Sequence, residues 1–173
     1  MSMFPFQQDL TQYLLSRGLI DEILPTTPDI ADKWQQIAEA YLPDGIREFA
    51  LYPTAALGWM MYIGMAIAKY WDEDWELYNK VDNLYLYLRD RINYDHMDEY
   101  ILQKVLLLSE DDQKFWLEVV GECASRTNNK LMHLGIQPGS KEAFLAFVDA
   151  LQQLYVMGAA VELNALGYRM IKG

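Results

Sequence analysis

Residues 55–68, AALGWMMYIGMAIA, run for 14 positions without a charge. Read as a helix, the run is apolar on every side: Met60, Ile63 and Ile67 make one stripe, Leu57, Met61 and Ala68 another. A helix of that kind is covered all round, by neighbouring helices or by lipid. Length decides between the two. Fourteen residues at about 1.5 Å each span roughly 21 Å, short of the roughly 30 Å of a bilayer core. Asp72, Glu73, Asp74 and Glu76 follow at once, with Lys69 as the one basic flank. The run is the one candidate span in this reading, and it is too short. It is expected to be the buried central post of a helical bundle, with no membrane as partner.

A second stretch, residues 154–161 (LYVMGAAV), is also apolar on all sides. Gly58 and Gly64 on the first, and Gly158, Ala159 and Ala160 on the second, predict that the two helix axes approach more closely than Leu-lined faces allow. These two rods, residues 54–70 and 141–168, are expected to organise the rest.

The other helices follow from spacing and punctuation. Residues 6–17 carry Leu10, Tyr13 and Leu14 at helical intervals, with Gly18 where a terminating glycine belongs. Thr27 and Pro28 read as cap and first helical residue, and Ile30, Trp34, Ile37 and Tyr41 form a stripe that residues 43–45 (PDG) should end. Residues 46–52 then form at most a short turn. From Met65 to Val120 there is neither Gly nor Pro, which favours long helices with brief polar breaks. Residues 75–92 are expected as one helix, including the alternating segment 84–88 (LYLYL). A break over 93–98 leads to a helix over 98–108. Ser109 opens a long helix closed by Gly135, with Trp116, Val120, Cys123, Thr127, Leu131 and Leu134 facing inward. Ser140 caps the last helix, whose stripe is Phe144, Val148, Leu151, Tyr155 and Gly158. No repeat or linker divides the chain. The expected fold is all-α, a single domain over 1–173, with six or seven helices around a buried central helix.

The charge removes whole classes of partner. Fourteen Lys plus Arg stand against 25 Asp plus Glu, a formal net charge of −11, which repels phosphate backbones and anionic surfaces. No nucleic-acid partner is expected. A single cysteine, Cys123, allows no internal disulfide, and residues 1–10 lack a signal peptide's basic and apolar segments. A reducing cytoplasm is the expected location.

No Gly-rich phosphate loop, Gly-x-Ser-x-Gly, HExxH or Cys-x-x-Cys occurs. His96 and Glu99 stand three apart within residues 95–99 (DHMDE), yet no Glu-x-x-His exists for a di-iron bundle. Asp95 or Asp98 is better placed as a helix cap. The acidic run 72–74 lacks the Gly and Glu of a calcium loop and reads as a solvated break between helices. Cys123 and His133 are ten residues apart on one helix, about 15 Å, so they form no dyad. No catalytic residue, cofactor or metal is assigned, and no enzymatic activity is indicated by motif.

Glu162 is the most informative carboxylate. It lies 18 residues after Phe144 and so on the same side of the last helix, amid Gly158, Ala159, Ala160 and Val161. There it must pair with an Arg or a Tyr hydroxyl, or be driven towards its neutral form.

Twelve Tyr and five Trp exceed what a core of this size requires. They point to a protein-interaction module, homodimeric or binding another protein, with Trp71, Trp75, Tyr85 and Tyr87 as the expected interface. The alternative is a small-molecule binder or enzyme, with a pocket between the two apolar rods lined by Met60, Met61 and Met65 and contacted by Glu162 or His96.

Overall fold

A computed structural model of the chain describes residues 6–91 and 96–168. It is all-helical over the described residues. The elements are α1 (Phe6–Ser16), a single turn α2 (Pro28–Ala31), α3 (Trp34–Leu51), α4 (Pro53–Tyr78) and α5 (Leu84–Arg91). They are followed by α6 (Met97–Tyr100), which runs on as a π-turn (Ile101–Val105), then α7 (Glu110–Met132) and α8 (Lys141–Ala165). Setting aside the single turn, seven helices among the described residues pack into one bundle, as the sequence predicts.

The two apolar rods are its centre. α4 and α8 share the most extensive contact in the molecule, and α7 and α3 cover the remaining sides of α4. Met60, Met61, Ile63, Met65 and Ile67 have no exposed surface. Close approach rests on two glycines. A Cβ at Gly64 would collide with the Tyr155 carbonyl, and one at Gly158 with the Met61 carbonyl. Gly58 instead faces Val120 of α7, at 3.4 Å from where its Cβ would lie, so it serves a different crossing from the one its sequence position implies.

α8 is itself long and apolar enough to cross a membrane by length and composition, which the shorter reading of residues 154–161 misses. In the fold, 67% of that window is buried within the protein, largely against α4.

The predicted caps are in place. Thr27 Oγ1 accepts the Asp29 N–H at 3.3 Å, Ser109 Oγ that of Asp112 at 3.2 Å, and Ser140 Oγ that of Ala143 at 3.1 Å. Three boundaries differ from expectation, each for an identifiable reason.

Residues 43–45 do not end a helix: α3 continues through Pro43 to Leu51. Gly45 has no side chain because the Tyr41 ring lies over it, 2.6 Å from where a Cβ would sit, and the Tyr41 hydroxyl donates to the Ala56 carbonyl of α4. Asp44 is turned inward and buried. Its carboxylate accepts the Tyr85 hydroxyl at 2.6 Å, Arg89 Nε at 3.0 Å and Arg47 Nη2 at 3.0 Å. This cluster ties α5 to α3, and tertiary bonds of this kind hold the helix through a residue that would otherwise break it. Asp44→Ala removes the acceptor of a buried hydroxyl and the carboxylate partner of Arg89. Because both arginines are partly exposed and screened, the expected loss is about 2 kcal/mol, less than a fully buried pair would forfeit. Urea melts of Asp44→Ala and Asp44→Asn test this, with the Asn variant retaining part of the difference.

The helix expected over 75–92 is two. Asp74 has non-helical backbone angles (φ −167°, ψ 80°), and its Oδ1 caps the final turn of α4 by accepting the Leu77 N–H at 3.2 Å. The acidic run is thus a break, as read. After Tyr78 the chain turns, and Asn83 Oδ1 accepts the Leu86 N–H at 3.1 Å to start α5. An asparagine cap inside a charged stretch carries no strong sequence signal.

The helix expected over 98–108 begins at Met97 with His96 in the cap position, then widens into the π-turn. Leu107 follows in the left-handed region (φ 56°), which turns the chain sharply enough for Ser109 to open α7. The break over 93–95 and the Asp95 cap lie outside the described residues.

Candidate functional site

The four aromatic residues expected at an interface are engaged within the protomer. Tyr85 has no exposed surface: its hydroxyl is on Asp44 and its ring meets Tyr41 edge-on at 5.2 Å. The half-buried Trp71 donates its indole N–H to Asp29 at 2.9 Å and packs against Tyr168. Trp75 carries the Lys33 ammonium over its ring at 5.7 Å. Tyr87 completes a cluster with Tyr70 and Tyr78, whose rings stack at 4.2 Å. Much of the aromatic excess therefore joins helices to each other.

The apolar surface left open lies elsewhere. Between the end of α3, the end of α7 and the start of α8 is a cavity of about 280 Å³, lined in part by Phe49, Leu131, Met132, Ile136, Ala143 and Phe147. A second cavity of about 330 Å³ adjoins it through the shared Phe49, Ala143 and Phe147 and adds Ile46 and Phe144. Together they form one groove with no ionisable side chain in its lining among the described residues. Its floor is the Phe49–Phe147 pair, ring centroids 4.7 Å apart. Its rim is open: Phe144 is 44% exposed, Ile46 49% and Met132 72%.

This placement corrects the stripe expected for α8. Phe144 is on the surface, and Phe147 takes the inward place that Phe144 was expected to fill. The helix starts at the edge of the bundle, where only the ends of α3 and α7 are within reach. Further along, α4 covers it. The same face is therefore open at Phe144 and closed five turns later at Glu162.

Glu162 is 7% exposed. No hydrogen bond or ion pair reaches its carboxylate among the described residues, so the expected Arg or Tyr partner is absent there. Burial, opposed by the Lys69 ammonium and reinforced by Asp72, pushes its pKa up to about 7. Lys69 is itself drawn to Glu73, at 3.9 Å. His96 is exposed at the start of α6 and stands 3.9 Å from Glu99. Among the described residues, His96 and Glu162 share none of the cavities that line this protein's grooves. The seam between α4 and α8 holds no pocket at the Gly64 and Gly158 crossings, where backbones touch and Met60, Met61 and Met65 are sealed. Among the described residues, no group of three His, Cys, Asp or Glu side chains is placed to hold a metal. Cys123 is buried, and burial pushes its thiol up to about 12, which leaves it unreactive.

Comparison with protein families, with curated proteins and with solved structures finds no match to this chain. The groove is the feature that sequence reasoning missed. A signal for it existed: residues 123–141 contain no Asp or Glu, in a chain that carries 25 of them.

Proposed function

We propose that the protein is an all-α interaction module that self-associates, and that its contact face is the groove between α3, α7 and α8. The observation that carries this reading is the groove's lining, aromatic and aliphatic at the rim and floor and free of charge among the described residues. Two copies of a chain with net charge −11 repel wherever carboxylates face each other. This face is where they can meet without doing so. Depletion of charge and enrichment in aromatic residues and Met also mark the buried centre of protein interfaces.

Sedimentation velocity over the micromolar range is the test. The wild type is expected to be dimeric and Phe144→Glu monomeric at the same concentration. Because Phe144 is a surface residue, the variant keeps its helical circular dichroism, and its protomer stability changes by no more than about 0.5 kcal/mol. Trp71→Phe, outside the groove's lining, stays dimeric. A wild type that is monomeric throughout the range overturns the proposal.

A further inference from the structure

We propose that a second groove, between α4, α6 and α7, is a binding site for a primary ammonium group carried on a short apolar chain. The cavity is about 410 Å³ and is lined by Trp59 and Tyr62 of α4, Asp98 of α6, and Gly121 and Ser125 of α7, among others. It is separate from the apolar groove and shares no lining residue with it.

Three features define the ligand. Tyr62 is 4% exposed, yet no hydrogen bond reaches its hydroxyl among the described residues, and it lines the cavity. Asp98 is half-buried at the same cavity; its carboxylate accepts backbone N–H groups at the start of α6 and lies within range of the His96 charge, but no ion pair reaches it among the described residues. Burial pushes the Asp98 carboxyl pKa up, and the Asp98 charge in turn acts on Tyr62. Trp59 and Tyr62 have ring centroids 6.1 Å apart with planes at 74°, so they form two walls rather than a stack. A carboxylate beside aromatic walls is the chemistry that recognises an organic cation.

The alternatives fit less well. Among the described residues no Lys or Arg lines the cavity, and the net charge of −11 disfavours an anion. A bare calcium ion needs six to eight oxygens, more than one carboxylate and a few hydroxyls provide. A wholly apolar ligand would cover Asp98 and Tyr62 without satisfying either. A primary ammonium donates to both, while its methylenes lie against the rings.

Gly121 supplies the experiment. A Cβ there meets nothing within 4 Å, so this lining position has open space in which a larger side chain can be built. Amide chemical shifts of the intact protein are followed during titration with n-butylammonium chloride, with tetramethylammonium chloride and butanol as comparisons. Saturable shifts confined to the lining of this cavity are expected with butylammonium, with weaker binding of tetramethylammonium and none of butanol. Asp98→Asn should weaken butylammonium binding at least tenfold. Gly121→Leu should abolish it while the melting temperature stays at or above that of the wild type. No saturable shift with butylammonium overturns the proposal, as does undiminished binding by Asp98→Asn or by a folded Gly121→Leu. Equal or tighter binding of tetramethylammonium overturns the assignment to a primary ammonium.

Discussion

Gly158→Ala is expected to unfold far below the wild type, and Gly158→Leu to yield no folded protein. The added Cβ would fall on the Met61 carbonyl, and a carbonyl in the middle of a buried helix cannot swing aside as a side-chain tip can. Relief requires α4 and α8 to separate along the most extensive contact in the molecule, opening a gap between Met61 and its neighbours that nothing fills. Overpacking of a tight core and the voids that follow are each destabilising by a few kcal/mol, so about 3 kcal/mol is expected for one methyl group. Gly64→Ala should behave alike, because its Cβ would meet the Tyr155 carbonyl and lie 3.0 Å from the Ala159 nitrogen. Gly121→Ala is the control. It meets nothing within 4 Å, and alanine in a helix interior gains roughly 0.5–1 kcal/mol over glycine. Thermal melts of the three single variants decide the matter, and a Gly158→Ala protein as stable as Gly121→Ala would mean the rods are not in backbone contact.

That contact was legible before any coordinates, because two uncharged runs, each carrying glycine or alanine where a partner must approach, leave few ways to be covered. Helix starts were legible for a similar reason: Thr27, Ser109 and Ser140 act on amides two or three residues away, so a local reading suffices. What could not be read depends on distant residues. Pro43 sits inside a helix because Asp44 is bonded to Tyr85 and Arg89, more than forty positions on. Trp71 and Tyr85 are half-apolar, half-polar side chains, a type that suits an interface and a core equally. Within the protomer they are bonded to Asp29 and Asp44, whose positions in space the sequence does not reveal. Phe144 shows the converse. Periodicity assigned it to the buried face of α8, and the face is indeed continuous, but coverage of a face ends where the neighbouring helices end. The groove is where that happens.

Glu162 lies on the covered part of that face, and it makes stability depend on pH in an unusual direction. Its carboxyl has an ordinary value of 4.5 in the unfolded chain and about 7 in the fold, chiefly because burial disfavours the charge; Lys69 opposes the rise and Asp72 adds to it. A carboxyl whose folded value is raised is held neutral by the native state, so its contribution is most favourable below 4.5 and is lost as pH rises towards 7. The gap between 4.5 and about 7 corresponds to about 3 kcal/mol at 1.36 kcal/mol per pH unit. Other carboxylates titrate over part of this range, so the quantity to measure is the difference between Glu162→Gln and the wild type. Gln keeps the shape and never ionises. Near pH 5 the two proteins should differ by less than about 1 kcal/mol from this source, and near pH 8 the Gln variant should be the more stable by about 3 kcal/mol. Lys69→Met should widen the difference at high pH, since the ammonium that offsets the charge is gone. A stability difference that stays constant from pH 5 to pH 8 would show that Glu162 ionises normally in the fold, and that the end of α8 admits more water than its burial implies.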